Sequence, residues 1–337
     1  TDIKCYCCSM ISIFPNRLKR GDRIMVVAPS DSLANISDSV HQKALERFAE
    51  LGLVVTYAKN VSEMDELDSS SIASRVADIH EAFSNPDIRG IFTAFGGYNC
   101  NQLLPHLDWD IIKNNPKVLI GFSDTTALSN AIYAKTGLVT YSGPSFSRFG
   151  QEFYFDYTME YFKKCVFAED VIDILPSDKW SDDWWLKDQS SRILQKNSGW
   201  EVVNEGYAKG VCFGGNLSTF NLLQGTEYFP NIKDSILFLE DDNESTLGHF
   251  DRDLESLTQL PYFDSVKAII IGRFQNKSDV DVNLLKKSLQ AKKHIKSMPV
   301  VANLDFGHTD PIFTFPIGGE VELHATSDGI SLKILSH

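Results

Sequence analysis

The sequence predicts an α/β protein with a parallel sheet in its first half and a second, strand-rich region after it. Three observations predict this. Apolar strand runs alternate with amphipathic helix patterns up to about residue 135. Strand runs resume near residue 206 and end in an alternating hairpin pattern. The chain has 337 residues, and at roughly 150 residues per domain that length suggests two domains.

The elements follow in order. Ile24–Ala28 (IMVVA) is a short buried strand closed by Pro29 and Ser30. Ser37–Leu51 reads as a helix: Ser37 or Asp38 can cap it, Val40, Ala44, Leu45, Phe48 and Leu51 share a stripe, and Gly52 sits where a terminating glycine belongs. Leu53–Tyr57 is a strand. Ile72–Phe83 is a helix stopped by Asn85-Pro86. Ile88–Phe95 is a strand running into Gly96-Gly97, Lys117–Phe122 is another, and Thr125–Lys135 is the helix after it. Apolar strands separated by helices form a parallel sheet covered on both faces.

Residues 145–205 are rich in aromatics and acids with few clear periods, and hold four of the five tryptophans, Trp180, Trp184, Trp185 and Trp200. They read as a linker with a mobile or ligand-facing loop. Strands are then expected at Gly210–Phe213, Ile236–Glu240, Ala268–Gly272 and Val300–Asn303, with helices near 246–260 and 281–293. The end, EVELHATSDGISLKIL, alternates around Asp328-Gly329, a β-hairpin signature.

Composition narrows the function. Lys and Arg total 32 against 45 Asp and Glu, a net charge of −13. That argues against nucleic acid and anionic membranes as partners. No apolar run approaches the ~18–20 residues of a membrane span. The stretch TDIKCYCCSMISIF has one basic residue and no small-residue cleavage site, so no signal peptide is expected. Six cysteines in a chain this long are not a disulfide framework. Cys5, Cys7 and Cys8 lack a second ligand pair for a metal site and read as part of a flexible, reduced tail. Reduced thiols without an export signal point to the cytoplasm.

Five constellations could carry chemistry. In Gly121-Phe122-Ser123-Asp124-Thr125-Thr126 a buried strand ends, a serine follows and a helix begins. This is nucleophile-elbow geometry, with helix N–H groups available to an oxyanion, although Asp124 replaces the usual small residue. The competing reading is a helix cap. Gly96-Gly97-Tyr98-Asn99 closes another strand, where glycines permit close ligand approach and Gly97 could supply half an oxyanion hole; the alternative is an ordinary turn. Glu240 ends a buried run and suits a carboxylate that orients a histidine, or belongs to an acidic loop with Asp241, Asp242 and Glu244. His308 lies in Gly307-His308-Thr309-Asp310-Pro311, a loop exposed enough for a base. Gly214-Gly215-Asn216 reads as a turn with a helix cap, or as part of a ligand cleft. Ser123, Glu240 and His308 each follow a strand. A serine needs a base, and the imidazole needs a carboxylate to fix its tautomer. Neither H-E-x-x-H nor a histidine pair at ligand spacing is present, which makes metal hydrolysis the weaker reading.

At these residues the sequence resembles the LD-carboxypeptidase family of serine peptidases. The matching stretches are GDRIMVVAPS (21–30), FGGYNCNQLLP (95–105), IGFSDTTALSNAIYAKTGLVTYSGP (120–144), GGNLSTFNLLQGTEYFP (214–230), ILFLEDD (236–242) and DFGHTDPIFTFPIG (305–318). The resemblance implies a tail over 1–15, a Rossmann-like α/β domain over 16–145, a linker and Trp-rich loop over 146–205, and a largely β domain over 206–337, with the site in the cleft between the domains. It implies a triad of Ser123, Glu240 and His308, an oxyanion hole from the Gly97 and Asp124 amides, no metal or cofactor, and a homodimer. Substrate contacts are expected from Tyr98, Asn216 and Trp180.

The stretch LPSDKWSDDWW (175–185) resembles the branch that includes the microcin C self-immunity protein, whose loop stacks an aromatic ring on a nucleobase; Trp180 is the matching position. That branch takes peptidyl- or aminoacyl-nucleotides as substrates. The alternative branch removes a terminal D-alanine from muropeptides. A different class, a ligand-sequestering protein without turnover, also fits the sequence.

Overall fold

The computed structural model describes residues 10–337. Its first sheet has six strands in the order Phe315–Ile317, Thr140–Ser142, Val118–Gly121, Ile88–Thr93, Arg23–Val27 and Val54–Tyr57. All neighbours pair in parallel except Phe315–Ile317, which runs antiparallel to Thr140–Ser142. The central strands read as unbroken apolar runs because both faces are covered: Ile24, Val26, Ile91, Phe92, Leu119 and Ile120 have no exposed surface. The connecting helices start and stop as their sequences require. Ser37 caps Asp38–Leu51, Gly52 ends it in the left-handed conformation at φ 75°, and Ser71 caps Ile72–Ser84.

Strand order in this sheet reverses between Arg23–Val27 and Ile88–Thr93. Ligands of open parallel sheets bind outside the carboxyl ends of the strands at such a switch point. Asp31, Gly97 and Ser123 all lie just beyond those ends.

The second sheet has eight strands in the order Ile172–Ile174, Gly329–Ser336, Glu320–Thr326, Gly206–Asn216, Ser235–Glu240, Ala268–Gly272, Val300–Leu304 and Glu201–Asn204. Four of its strands, Gly206–Asn216, Ser235–Glu240, Ala268–Gly272 and Val300–Leu304, run parallel, with helices Leu247–Thr258 and Val282–Ala291 connecting the last three, and the remaining neighbours pair antiparallel. The terminal hairpin forms about Asp328-Gly329.

The two lobes are interlocked more closely than expected. Phe315–Ile317, far along the second lobe in sequence, adds to the first sheet. Asn130 clamps the Gly214 backbone, its amide donating to the carbonyl at 2.8 Å and accepting from the N–H at 3.2 Å. The stretch expected as a linker and loop holds packed elements. Phe146 and Phe149 are fully buried against Phe48, helix Asp156–Phe167 buries Phe162, and two strands of this stretch join the second sheet. Many of its aromatics, Phe146, Phe149, Phe155, Tyr161 and Phe162 among them, are core residues, and most of its elements are too short to show clear periodicity. Within the expected tail, Ile13 bridges Leu138 and the Ser12 hydroxyl donates to the Gly318 carbonyl at 3.0 Å. Cys5, Cys7 and Cys8 lie outside the described residues. Among those described, no helix is long and apolar enough to cross a membrane.

Candidate active site

Ser123 is the middle of three residues, Phe122–Asp124, that join strand Val118–Gly121 to helix Thr125–Thr136, and it sits at φ 60°. A non-glycine residue there is strained, and such strain persists only where the surroundings enforce it. The turn lifts the Ser123 hydroxyl off the sheet edge, and Gly96 passes so close that a Cβ on it would lie 3.1 Å from Ser123 Oγ.

His308 Nε2 lies 3.0 Å from Ser123 Oγ, and His308 Nδ1 lies 2.7 Å from Glu240 Oε2. A carboxylate only accepts, so Nδ1 carries the proton and Nε2 is free to accept from the serine hydroxyl. Glu240, at the end of a fully buried strand, is itself 2% exposed. Gly307, at φ 98°, packs directly on the Glu240 carboxylate where any Cβ would overlap it. Burial alone would lower the His308 pKa, but the Glu240 charge and hydrogen bond outweigh it and the net shift is upward.

The loop carrying His308 is fixed from beneath. Asp310 pairs with Arg148 and with Arg192, the latter at 3.1 Å, and its backbone exchanges two 2.8 Å hydrogen bonds with Ser181. The Arg148 guanidinium also covers the Phe122 ring at 4.4 Å, and that ring lies 5.3 Å from the His308 ring. Arg148, Arg192 and the role of Asp310 escaped the sequence reading. The one available signal was an aspartate beside the histidine, without an obvious partner in sequence.

Asp124 is 2% exposed, and its carboxylate accepts from Ser30 Oγ at 2.6 Å and from the Cys100 N–H at 2.7 Å. It thereby ties the Gly96–Asn99 loop to the residue after Ser123. Arg75 secures the same loop through the Asn99 carbonyl at 3.2 Å and Asn99 Oδ1 at 2.7 Å. Among the described residues, the N–H groups of Gly97 and Asp124 have no hydrogen-bond acceptor. They are therefore available to a ligand oxygen at this edge.

Ser123 and His308 open into a cavity of about 270 Å³, with Gly97, Tyr98, Trp184 and Trp185 in its wall. Two of the residues expected to contact substrate lie outside this wall. Trp180 is not in this wall; it faces a neighbouring hollow, with the Arg273 guanidinium 5.1 Å from its ring. Trp184, four residues on and 65% exposed, lies in the cavity wall. Trp180 pairs antiparallel with Gln195 in a two-stranded ribbon, a placement that residue order alone does not reveal. Asn216 is buried and absent from the cavity wall. It caps helix Leu217–Asn221, its amide donates to Asp241 Oδ1 at 3.0 Å, and its strand register sets it beside Glu240. Tyr98 is in the wall, 73% exposed, and its hydroxyl donates to Glu244 Oε1 at 3.0 Å. Among the described residues, no cluster of three or more His, Cys, Asp or Glu side chains is arranged to hold a metal ion.

A serine hydroxyl, an imidazole and a buried carboxylate in line at a sheet edge, beside free backbone N–H groups, define the class of serine hydrolases. The comparisons with known proteins specify it further. Residues 24–143 match the LD-carboxypeptidase N-terminal domain and residues 209–323 the LD-carboxypeptidase C-terminal domain. The chain belongs to the LD-carboxypeptidase family and is a serine carboxypeptidase-type enzyme.

A putative carboxypeptidase of Bacillus subtilis is 49% identical, covering 96% of this chain and all of its own. The microcin C7 self-immunity protein of Escherichia coli is 33% identical, covering 86% of this chain and 87% of its own. Among solved structures, an MccF-like protein from Bacillus anthracis superposes with a TM-score of 0.96 at 48% identity, covering 97% of this chain and 100% of its own. The microcin C7 self-immunity protein in complex with glutamyl sulfamoyl guanosine gives 0.87 at 30% identity, covering 98% and 99%. It has also been solved with aspartyl sulfamoyl adenosine.

Proposed function

We propose that the protein hydrolyses the amide bond of peptidyl- or aminoacyl-nucleotides, with Ser123 as nucleophile, His308 as general base and acid, and Glu240 as the orienting carboxylate. The observation that carries this reading is the 3.0 Å and 2.7 Å chain of contacts from Ser123 through His308 to Glu240. In the first step Ser123 Oγ bonds to the carbonyl carbon while His308 Nε2 takes the hydroxyl proton. The Glu240 charge stabilises the imidazolium formed. The Gly97 and Asp124 N–H groups receive the oxyanion, a role worth about 10²–10³ in rate per donor. His308 then gives its proton to the leaving nitrogen as the C–N bond breaks. Water, activated by the same imidazole, releases the acyl group and restores the serine.

The nucleotide half of the proposal rests on Trp184. An exposed indole at the cavity mouth suits a planar base, and such stacking is worth about 1–3 kcal/mol. The nucleoside ligands of the microcin C7 self-immunity protein support it. We place the reaction in the cytoplasm, in keeping with the free, buried thiols of Cys100, Cys165 and Cys212.

The test offers an aminoacyl sulfamoyl adenosine and a muropeptide tetrapeptide to the protein and compares turnover. Cleavage of the nucleotide conjugate is expected to dominate. Release of D-alanine with the conjugate left intact would move the protein to the muropeptide branch. Binding of either without turnover would make it a sequestering protein.

A further inference from the structure

Besides Asp310, five carboxylates, Asp31, Asp182, Asp183, Asp242 and Glu244, line the cavity that holds Ser123. None pairs with a Lys or Arg among the described residues. The one guanidinium in that wall, Arg148, is already matched by buried Asp310. The donors that do reach the carboxylates are neutral. Asn276 serves Asp182, Ser181 serves Asp183, and the Tyr98 hydroxyl serves Glu244. Neutral donors orient a carboxylate and leave its charge standing.

Asp31 is the member nearest the chemistry. Its carboxylate abuts Gly97 so closely that any Cβ there would overlap it, while the adjoining Gly96 abuts Ser123. Its side chain has no hydrogen-bond partner among the described residues. Glu244 faces the same space from the second lobe and spends one oxygen on Tyr98. Two carboxylates, one from each lobe, thus line the cavity into which Ser123 opens.

Resting on the hydrolase reading above, we infer that Asp31 and Glu244 select substrates by charge. The site takes acyl groups whose side chain carries an ammonium or guanidinium group, and turns away acidic ones. Uncompensated like charges at close range cost binding, and opposite charges there both attract and steer. Burial first, and then the charges of Asp68 and Asp124, lift the Asp31 pKa to about 7, so Asp31 is partly protonated near neutrality and a bound cation draws it to the charged form. The glutamyl and aspartyl groups present in the microcin C7 self-immunity complexes are the kind this wall disfavours.

The experiment measures kcat/KM for lysyl-, alanyl- and glutamyl-sulfamoyl adenosine at low ionic strength. Lysyl is expected to exceed glutamyl by about tenfold or more. Added NaCl is expected to narrow the gap, since partly exposed charges are screened. Glu244→Lys is expected to lower the lysyl-to-glutamyl ratio at least several-fold, and a ratio is insensitive to the folded fraction of the variant. Turnover in which the three substrates are equal, or glutamyl leads, overturns the charge selection and leaves the hydrolase reading intact. No turnover of any of the three overturns the hydrolase reading and the selection with it.

Discussion

The hydroxyl of Ser123 and the Nε2 of His308 meet at 3.0 Å across 185 positions of sequence, one carried by each sheet. Neither lobe holds a complete proton relay. The contact exists because strand ends from both sheets converge on one edge and because Phe315–Ile317 and the Asn130–Gly214 clamp lock the lobes together.

Removing the nucleophile tests the relay directly. Ser123→Ala is expected to cut kcat by about 10⁴-fold or more, with the substrate Kd nearly unchanged. Single-turnover kinetics and calorimetry read the two quantities separately. Hydrolysis at the parental rate would remove Ser123 from the chemistry.

The pH profile follows from His308. Its pKa lies above the ordinary ~6.5 because Glu240 outweighs burial. As a base it must be neutral, so kcat/KM is expected to climb with pH through an apparent pKa above that value. Glu240→Gln removes the charge, so the limb moves to lower pH and kcat falls by roughly 10²–10⁴-fold. The linked stability has the opposite sense: the His308–Glu240 pair stabilises the fold fully below the unfolded histidine pKa and loses that contribution as pH rises through the folded one. A limb that stays in place in Glu240→Gln would show that the pair does not set the titration.

The Trp-rich loop separates packing from recognition. Trp184→Ala is expected to weaken adenosine monophosphate binding by about 1–3 kcal/mol, whereas Trp180→Ala, outside the cavity, leaves it within about twofold. Calorimetric titration of both variants decides this. Loss of affinity in Trp180→Ala alone would return the stacking role to that residue.

Asp124 acts through its neighbours. Asp124→Ala frees Ser30 and the Cys100 N–H, so the Gly97 donor loses its register with Ser123. The expected result is a kcat reduced about 10–100-fold with KM little altered, as for a weakened oxyanion contact, and partial recovery in Asp124→Asn. Equal losses in kcat and folded fraction, measured by circular dichroism, would mark the effect as structural only.

Asp310 holds two guanidinium groups that are nearly sealed from water. Asp310→Ala leaves both buried without a counter-charge, at a cost of about 3–5 kcal/mol. Urea unfolding is expected to show it as a large drop in midpoint. A shift below about 1 kcal/mol would mean that water reaches the pair.

Local regularities in the chain determined most of the architecture. The stripe at Val40, Ala44, Phe48 and Leu51, the cap at Ser37 and the stop at Gly52 place one helix, and Asp328-Gly329 places the hairpin, because periodicity and turn chemistry act between near neighbours. The strand-to-helix junction at Ser123, and Glu240 at the end of an apolar run, are local too, so both candidates were legible. What only the tertiary structure decided depends on distant partners. The pull of Arg148 and Arg192 on Asp310, the addition of Phe315–Ile317 to the first sheet, the choice of Trp184 over Trp180 as the exposed ring, and the burial of Asn216 behind Glu240 all turn on contacts across more than a hundred positions or on strand pairing. Burial and charge pairing are properties of the assembled neighbourhood, and a residue's own letter and spacing carry no record of them.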